Sequence, residues 1–368
     1  MLMLIAIVAA GCATGRKAYL KGDYLKSVTQ SLNRLQQKPT DKTSKDILHF
    51  AYPELLKYEQ TKINTFKTSS DPNRWEKVME SYTTLNGVYD HVQRTPAARK
   101  LVDAKSFSKE YEESRRNAAE MSYQEGLKDK DSPNRDLLKR AYKQFQHTLQ
   151  LRPDHPDAAK QRDLVHEKLM IYVVVQPIPM HSAALSLSNS FFEQQMMEYF
   201  RKYAGNEFVR FYSASEKPEY ADHYLVMRFD DFAVGQTIVY EKEAERTAQV
   251  VVGKTQVTKD SAANVYGTVK ANVRLFDKKL SSGGLLDVKI VDAGNNAIVS
   301  QKKFSGTFVW EDHWGSFVGD ERALTKEDKP YMNHRETMPP PPQQLFIEFT
   351  KPIYGQTTSF VDGFYKSF

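Results

Sequence analysis

One cysteine, Cys12, occurs in 368 residues, so no intramolecular disulfide can brace the chain. No apolar run reaches the about 20 residues that a membrane-crossing helix needs. The uncharged opening, Met1 to Gly11, stops well short of that length. The nine histidines are scattered, with no His-Glu-x-x-His and no paired cysteines, so the metal-site spacings fail. Gly315-Ser-Phe-Val-Gly319 lacks the spacing of a nucleophile elbow. Ser281-Ser-Gly-Gly284 reads as a hairpin turn and not as a phosphate loop. No cofactor is implied. Glycine and proline are sparse from residue 13 to 170, which leaves room for long helices.

What is present divides in two. Charged residues make up 27% of the chain, and its length supports two or three domains. Residues 13–170 carry 30 Lys/Arg against 22 Asp/Glu, whereas residues 171–368 carry 22 against 24. The basic excess of the first half suits anionic lipid or an acidic partner, and equally a set of solvated helical faces. No nucleic-acid recognition motif accompanies it.

Ala9-Ala10-Gly11-Cys12 closes the apolar opening with small residues and a cysteine. This resembles a bacterial lipoprotein box. The resemblance implies a signal peptide over 1–11, lipidation of Cys12 and a mature chain held to a membrane. Ala13, not Asp, follows the cysteine, and no acidic cluster comes next. By the sorting rule of such lipoproteins, this implies the outer membrane and its periplasmic face.

Residues 12–170 are expected to be helical, with apolar residues recurring at three- and four-residue spacing. Two segments resemble tetratricopeptide repeats. In the first, Gly22 and Tyr24 mark the inter-helix turn, Ser27 is the small residue where paired helices meet, and Leu35 and Pro39 close the unit. In the second, Ala141, Phe145, Leu149, Leu151 and Pro153 fall at the expected spacing. Between them, helices over 44–67 and 72–92 are split at Asp71-Pro72, and Trp75, Val78, Tyr82, Leu85 and Tyr89 form a core stripe.

At Ile171 the period changes to that of strands. Strands are expected at 171–176, 208–212 and 222–229, a helix at 188–204, and further strands at 265–276, 285–292 and 297–310. Val269, Ala271, Val273 and Leu275 share one face, opposite Lys270, Asn272 and Arg274. The expectation is an α/β sandwich over 171–338 with a mainly antiparallel sheet, following the helical hairpins. Ala221-Asp-His-Tyr-Leu225 with Asp287-Val-Lys-Ile-Val-Asp-Ala293 resembles the periplasmic domain shared by the curli-export lipoprotein, the activator of penicillin-binding proteins and the TolB amino-terminal domain. The whole chain is similar to uncharacterised repeat-containing lipoproteins of the Bacteroidota.

Residues 339–368 read as a separate tail: the polyproline stub Pro339–Pro342, a strand at 345–349, and a helix stacking Phe360, Phe364 and Phe368. Glu311-Asp-His-Trp314 with Asp320 is the densest polar cluster, so His313 and Asp320 are the candidates for a polar site. His155, in a turn, is expected to be solvated. No converging set of acid, base or metal groups demands catalysis. The expected function is a membrane-anchored scaffold that binds envelope proteins, as in secretion, gliding or envelope biogenesis. The alternatives are an activator of a cell-wall synthase and a hydrolase centred on His313.

Overall fold

The computed structural model describes residues 14–179, 186–216, 219–258 and 261–368; Cys12 and the signal-like segment lie outside the described residues. The chain divides into two compact units, Met1–Leu169 and Met170–Phe368.

The first unit is helical. It runs α1 (Arg16–Leu20), α2 (Tyr24–Gln37), α3 (Lys42–Lys67), α4 (Arg74–Gln93), α5 (Pro96–Arg99), α6 (Ser108–Asp129), α7 (Arg135–Leu151) and α8 (Ala158–Leu169). Short connections fold the long helices back on their predecessors, and each packs on the next. Several starts are capped by side-chain oxygens: Asp23 accepts from the Lys26 amide, Asp41 from Ser44, and Asn134 from Asp136. Helix α4 begins at Arg74, two residues after Pro72, because Asp71 first turns the chain by accepting from the Asn73 amide. Val28, Leu32, Leu35, Leu48 and Leu55 fill one core, and Ile63, Val78, Tyr82 and Leu85 a second.

His155 corrects the sequence expectation. It is buried, 7% exposed, against the Tyr123 ring. Its Nδ1 accepts from the Asp157 and Ala158 amides, so the imidazole caps α8 in place of the usual hydroxyl or carboxylate.

The second unit is a six-stranded mixed sheet, mostly antiparallel. Its elements are β1 (Ile171–Val175), α9 (Ser186–Arg201), β2 (Val209–Ser213), β3 (His223–Val234), β4 (Ile238–Thr258), β5 (Ser261–Asp292), β6 (Ile298–Gly319), α10 (Asp328–Met332) and α11 (Pro342–Lys366). Strands β2, β1 and β3 are parallel neighbours. Strand β5 is the axis. Its second half pairs with β3, its first half with β4 on the same edge, and β6 runs along its other edge. At about 3.3 Å per residue its 32 residues span about 100 Å. No proline occurs between Pro218 and Pro330, so every ladder position keeps its donor.

Here the sequence expectation changes twice. Residues 265–276 and 285–292 are one strand, and Ser281–Gly284 is its middle rather than a turn. Gly284 lies opposite Gly306 in the β5–β6 ladder, where the absent side chains let a helix approach. A Cβ on Gly306 would stand 2.1 Å from the Phe349 carbonyl oxygen of α11. The segment 345–349 is helix, not strand, and it is no separate tail. Pro342 opens α11 at a position where its missing N–H costs nothing. Leu345, Phe346, Phe349, Ile353, Val361 and Tyr365 then face Leu286, Val288, Ile290 and Phe304 of the sheet. A short apolar run such as 345–349 carries no period that separates strand from helix.

Candidate functional site

Alternation along β5 gives the sheet two differently covered faces. Even-numbered Leu286, Val288 and Ile290 lie under α9 and α11. Odd-numbered Ala271, Val273 and Leu275 lie under Ala323 and Leu324 of a strap that follows β6. The strap, residues 320–341, holds a 3-10 turn (Glu321–Ala323) and α10.

Two polar sets fasten it. Asp328, 1% exposed, receives both Nε and Nη2 of Arg246 from β4, at 2.8 and 2.9 Å, and the Thr325 hydroxyl at 2.9 Å. The hydrogen bonds from Arg246 outweigh burial and hold the Asp328 carboxyl far below the usual carboxylate range. The second set lies where the strap passes the outer edge of β6. Asp312 is buried; His334 Nε2 stands 2.7 Å from its Oδ1, and the Thr337 amide donates to its Oδ2 at 2.7 Å. Burial pushes the Asp312 carboxyl up, but the bonds from Thr337 and His334 win and keep it below its ordinary value. Opposite it in the ladder, buried Lys278 donates to Glu336 at 2.6 Å and lies over the Trp314 ring.

The two residues of the sequence-derived polar site are not brought together. His313 is on β6, 5.1 Å from the Tyr331 ring and 5.7 Å from the His334 ring. Asp320 lies beyond the end of that strand, about 20 Å further along. There it accepts the Arg322 guanidinium at 2.6 Å, which takes its carboxyl down to about 2, and it caps the 3-10 turn. The sequence pointed to His313, but Asp312, His334 and Lys278 make the closer cluster; the long-range partner His334 had no local signal. Among the described residues, no group of three His, Cys, Asp or Glu side chains could hold a metal ion.

The repeat-packing residues fall as follows. Gly22 takes a φ of 77° in the α1–α2 turn, and Tyr24 opens α2 half-buried. Ser27 is buried and donates to the Gly15 carbonyl at 3.0 Å. Ala141 and Phe145 are fully buried, with Phe145 against Gly126 so closely that a Cβ there would stand 2.8 Å from the ring. Pro153 is exposed after α7. In this unit, α4, α6 and α7 also frame a groove of about 330 Å³ lined by Asn73, Glu76, Ser122, Lys143, Gln144 and His147. His147 Nε2 lies 3.2 Å from Glu76, and the Ser122 hydroxyl donates to the Gln144 side chain at 2.6 Å. With Glu76, Glu125 and Lys143 in its lining, such a floor offers charged as well as neutral donors and acceptors to an extended ligand.

No family model and no curated protein matches the chain. Among solved structures, it is similar to a putative neuraminyllactose-binding hemagglutinin homologue from Helicobacter pylori. That match has 13% identity and a TM-score of 0.26, covering 51% of this chain and 81% of that one. It is also similar to a minor lipoprotein from Acinetobacter baumannii, at 8% identity and a TM-score of 0.18, covering 53% of this chain and 93% of that one. Neither likeness fixes a function.

Proposed function

We propose that the chain is a lipid-anchored envelope protein, attached through Cys12 on the periplasmic face of the outer membrane, that works as a scaffold for other envelope proteins. The groove between α4, α6 and α7 carries this reading. It is open, lined by three separate helices, and furnished with both neutral and charged hydrogen-bonding groups, Ser122, Gln144, Glu76, Glu125 and Lys143 among them, that can engage an extended peptide. The tetratricopeptide-like reading of this unit is supported by Ala141 and by the Gly126–Phe145 contact, where small residues let paired helices approach. His313 and Asp320 stand about 20 Å apart along β6, so the alternative of a hydrolase centred on His313 does not have Asp320 as its acid–base partner.

A photo-crosslinking residue placed at exposed Lys143, beside the groove, tests the proposal in cells, with exposed Lys160 as the control position. Lys143 is expected to capture a defined envelope protein that Lys160 does not. Equal capture at both positions, or full complementation by a chain lacking the helical unit, overturns it.

A further inference from the structure

The basic excess of the helical half is concentrated at its start. Residues 16–67, which hold α1 to α3, carry 11 Lys/Arg against 5 Asp/Glu. They account for 6 of the 8 excess positive charges of residues 13–170.

The same helices expose apolar side chains that the core does not use. Leu20 and Leu25 flank the α1–α2 turn and are 75% and 41% exposed. That turn is not a fraying end. The Lys21 amide donates to the Ala18 carbonyl, Gly22 to Tyr19 and Asp23 to Ala18, at 2.9 to 3.0 Å. Beside the turn, Tyr19, Tyr24 and Tyr58 follow one another with ring centroids 6.0 and 6.4 Å apart. Tyr24 and Tyr58 head an open groove of about 340 Å³ that continues along α3 to Phe66.

Lysines surround these groups. Lys17, Lys21 and Lys26 are exposed about the turn, and Lys57 lines the groove. None of the four forms an ion pair among the described residues. The nearby carboxylates are fewer and partly engaged: Asp23 caps α2, buried Glu59 accepts from Lys62 at 3.0 Å, and Glu54 lines the groove. Leucine tips fixed among lysines, with tyrosines alongside, match the layering of a lipid headgroup region. There an apolar side chain reaches the acyl boundary, a tyrosine keeps one end wet, and ammonium groups meet phosphates. An acidic protein surface would meet the lysines alone.

We propose that this corner, made by α1, the α1–α2 turn and α3, docks on an anionic bilayer surface. Leu20 and Leu25 sit at the headgroup–acyl boundary, and Lys17, Lys21, Lys26 and Lys57 lie on lipid phosphates. The Ser31 hydroxyl ties the Thr14 carbonyl to α2, and a lipid on Cys12 would leave the chain within about 7 Å of Thr14. A single acyl signal or a basic patch anchors marginally, and the two together hold. The docked corner therefore orients the chain and is too weak to retain it alone. It leaves the groove of α4, α6 and α7, built from other helices, open to a protein. The docking rests on α1–α3 and not on Cys12.

The test uses the whole chain with Cys12→Ala, so that residues 1–11 contribute equally to every variant. The chain is titrated at low salt with phosphatidylethanolamine–phosphatidylglycerol vesicles, and the bound fraction is read by flotation. Lys17→Gln with Lys21→Gln and Lys26→Gln is expected to lower the bound-to-free ratio at least about tenfold. Leu20→Ser with Leu25→Ser should do the same. Lys109→Gln with Lys143→Gln and Lys160→Gln removes equal charge from exposed positions of α6, α7 and α8 and should retain binding. Phosphatidylcholine in place of phosphatidylglycerol should erase the difference between the two triples. A fluorophore on a new cysteine at position 20 should shift to the blue on the anionic vesicles, and one at position 160 should not. Equal loss from both triples, full binding by the leucine pair, or no shift at position 20 overturns the proposal. Lipid-free dimers that the corner variants break overturn it too, and assign the corner to a second copy. If a variant unfolds by circular dichroism, the two fluorophores decide. Fatty-acid labelling of the unmodified chain reports on Cys12 separately.

Discussion

The Tyr365 hydroxyl stands 3.1 Å from Nδ1 of His223, 142 residues away in sequence and sealed in the core of the α/β unit. His223 opens β3, and Tyr365 lies in the last turns of α11, so this bond joins the sheet to the helix that covers it. Burial raises the Tyr365 phenol well above its ordinary value. Burial likewise lowers the His223 pKa, against the opposite pull of the Asp222 and Asp292 carboxylates.

Two outcomes follow for this pair. Tyr365→Phe leaves a buried imidazole nitrogen without its hydrogen-bond partner and should cost about 1–3 kcal/mol in a denaturant titration. The pH dependence has a definite sign. A histidine with a lowered folded pKa binds fewer protons folded than unfolded, so its contribution is fully present above its unfolded value near 6.5 and is lost as pH falls toward the folded value. Thermal melts from pH 8 to pH 5 should show that decline, and His223→Gln should flatten it.

Gly306 should be intolerant of any side chain. Gly306→Ala drives a Cβ onto the Phe349 carbonyl oxygen, part of a helix backbone that cannot swing aside, and should cost about 1–3 kcal/mol. Gly355, in the same α11, has open space where its Cβ would be. Gly355→Ala should therefore stabilise by about 0.5–1 kcal/mol. Paired melting curves check both signs at once.

The strap should loosen when its buried anchor loses one partner. Arg246→Ala leaves the Asp328 carboxylate buried and uncompensated, a change worth about 3–5 kcal/mol. Trypsin should then cut after exposed Lys326 faster than in the parent chain. The Asp328 pKa is lowered on folding, so the anchor's contribution is present above the ordinary carboxylate value and lost as acid brings pH down through the folded one.

Cys12→Ala should abolish metabolic labelling with a fatty acid and release the chain from the membrane fraction. Labelling that persists in the variant would sink the anchor.

Local signals in the sequence were enough for the helical half and for the alternation of Val269, Ala271, Val273 and Leu275, because each residue's environment there repeats within one or two turns or strand steps. They misled where one residue type serves two purposes. Ser281–Gly284 has turn chemistry, yet Gly283 and Gly284 pair in the ladder with Thr307 and Gly306 of β6, and Gly306 faces α11. His155 looked like a loop residue because caps are usually hydroxyls or carboxylates. Asp312 with His334, Arg246 with Asp328 and His223 with Tyr365 were out of reach, since each joins segments that only the finished fold brings together. The strap that creates two of these pairs has little periodicity of its own.

The 32-residue strand β5 also has a mechanical meaning. Gripped along one edge by β3 and β4 in succession and along the other by β6, it cannot be unzipped one rung at a time by a pull along its axis. Such a pull loads many hydrogen bonds in shear together, and the strand then behaves as a stiff strut that carries force from its free end to the helix-covered base. A sideways pull at the free end meets only the β4–β5 ladder and peels it. The same protein is therefore strong in one direction and compliant in the other, a difference that pulling single molecules from residue 264 along and across the strand would measure.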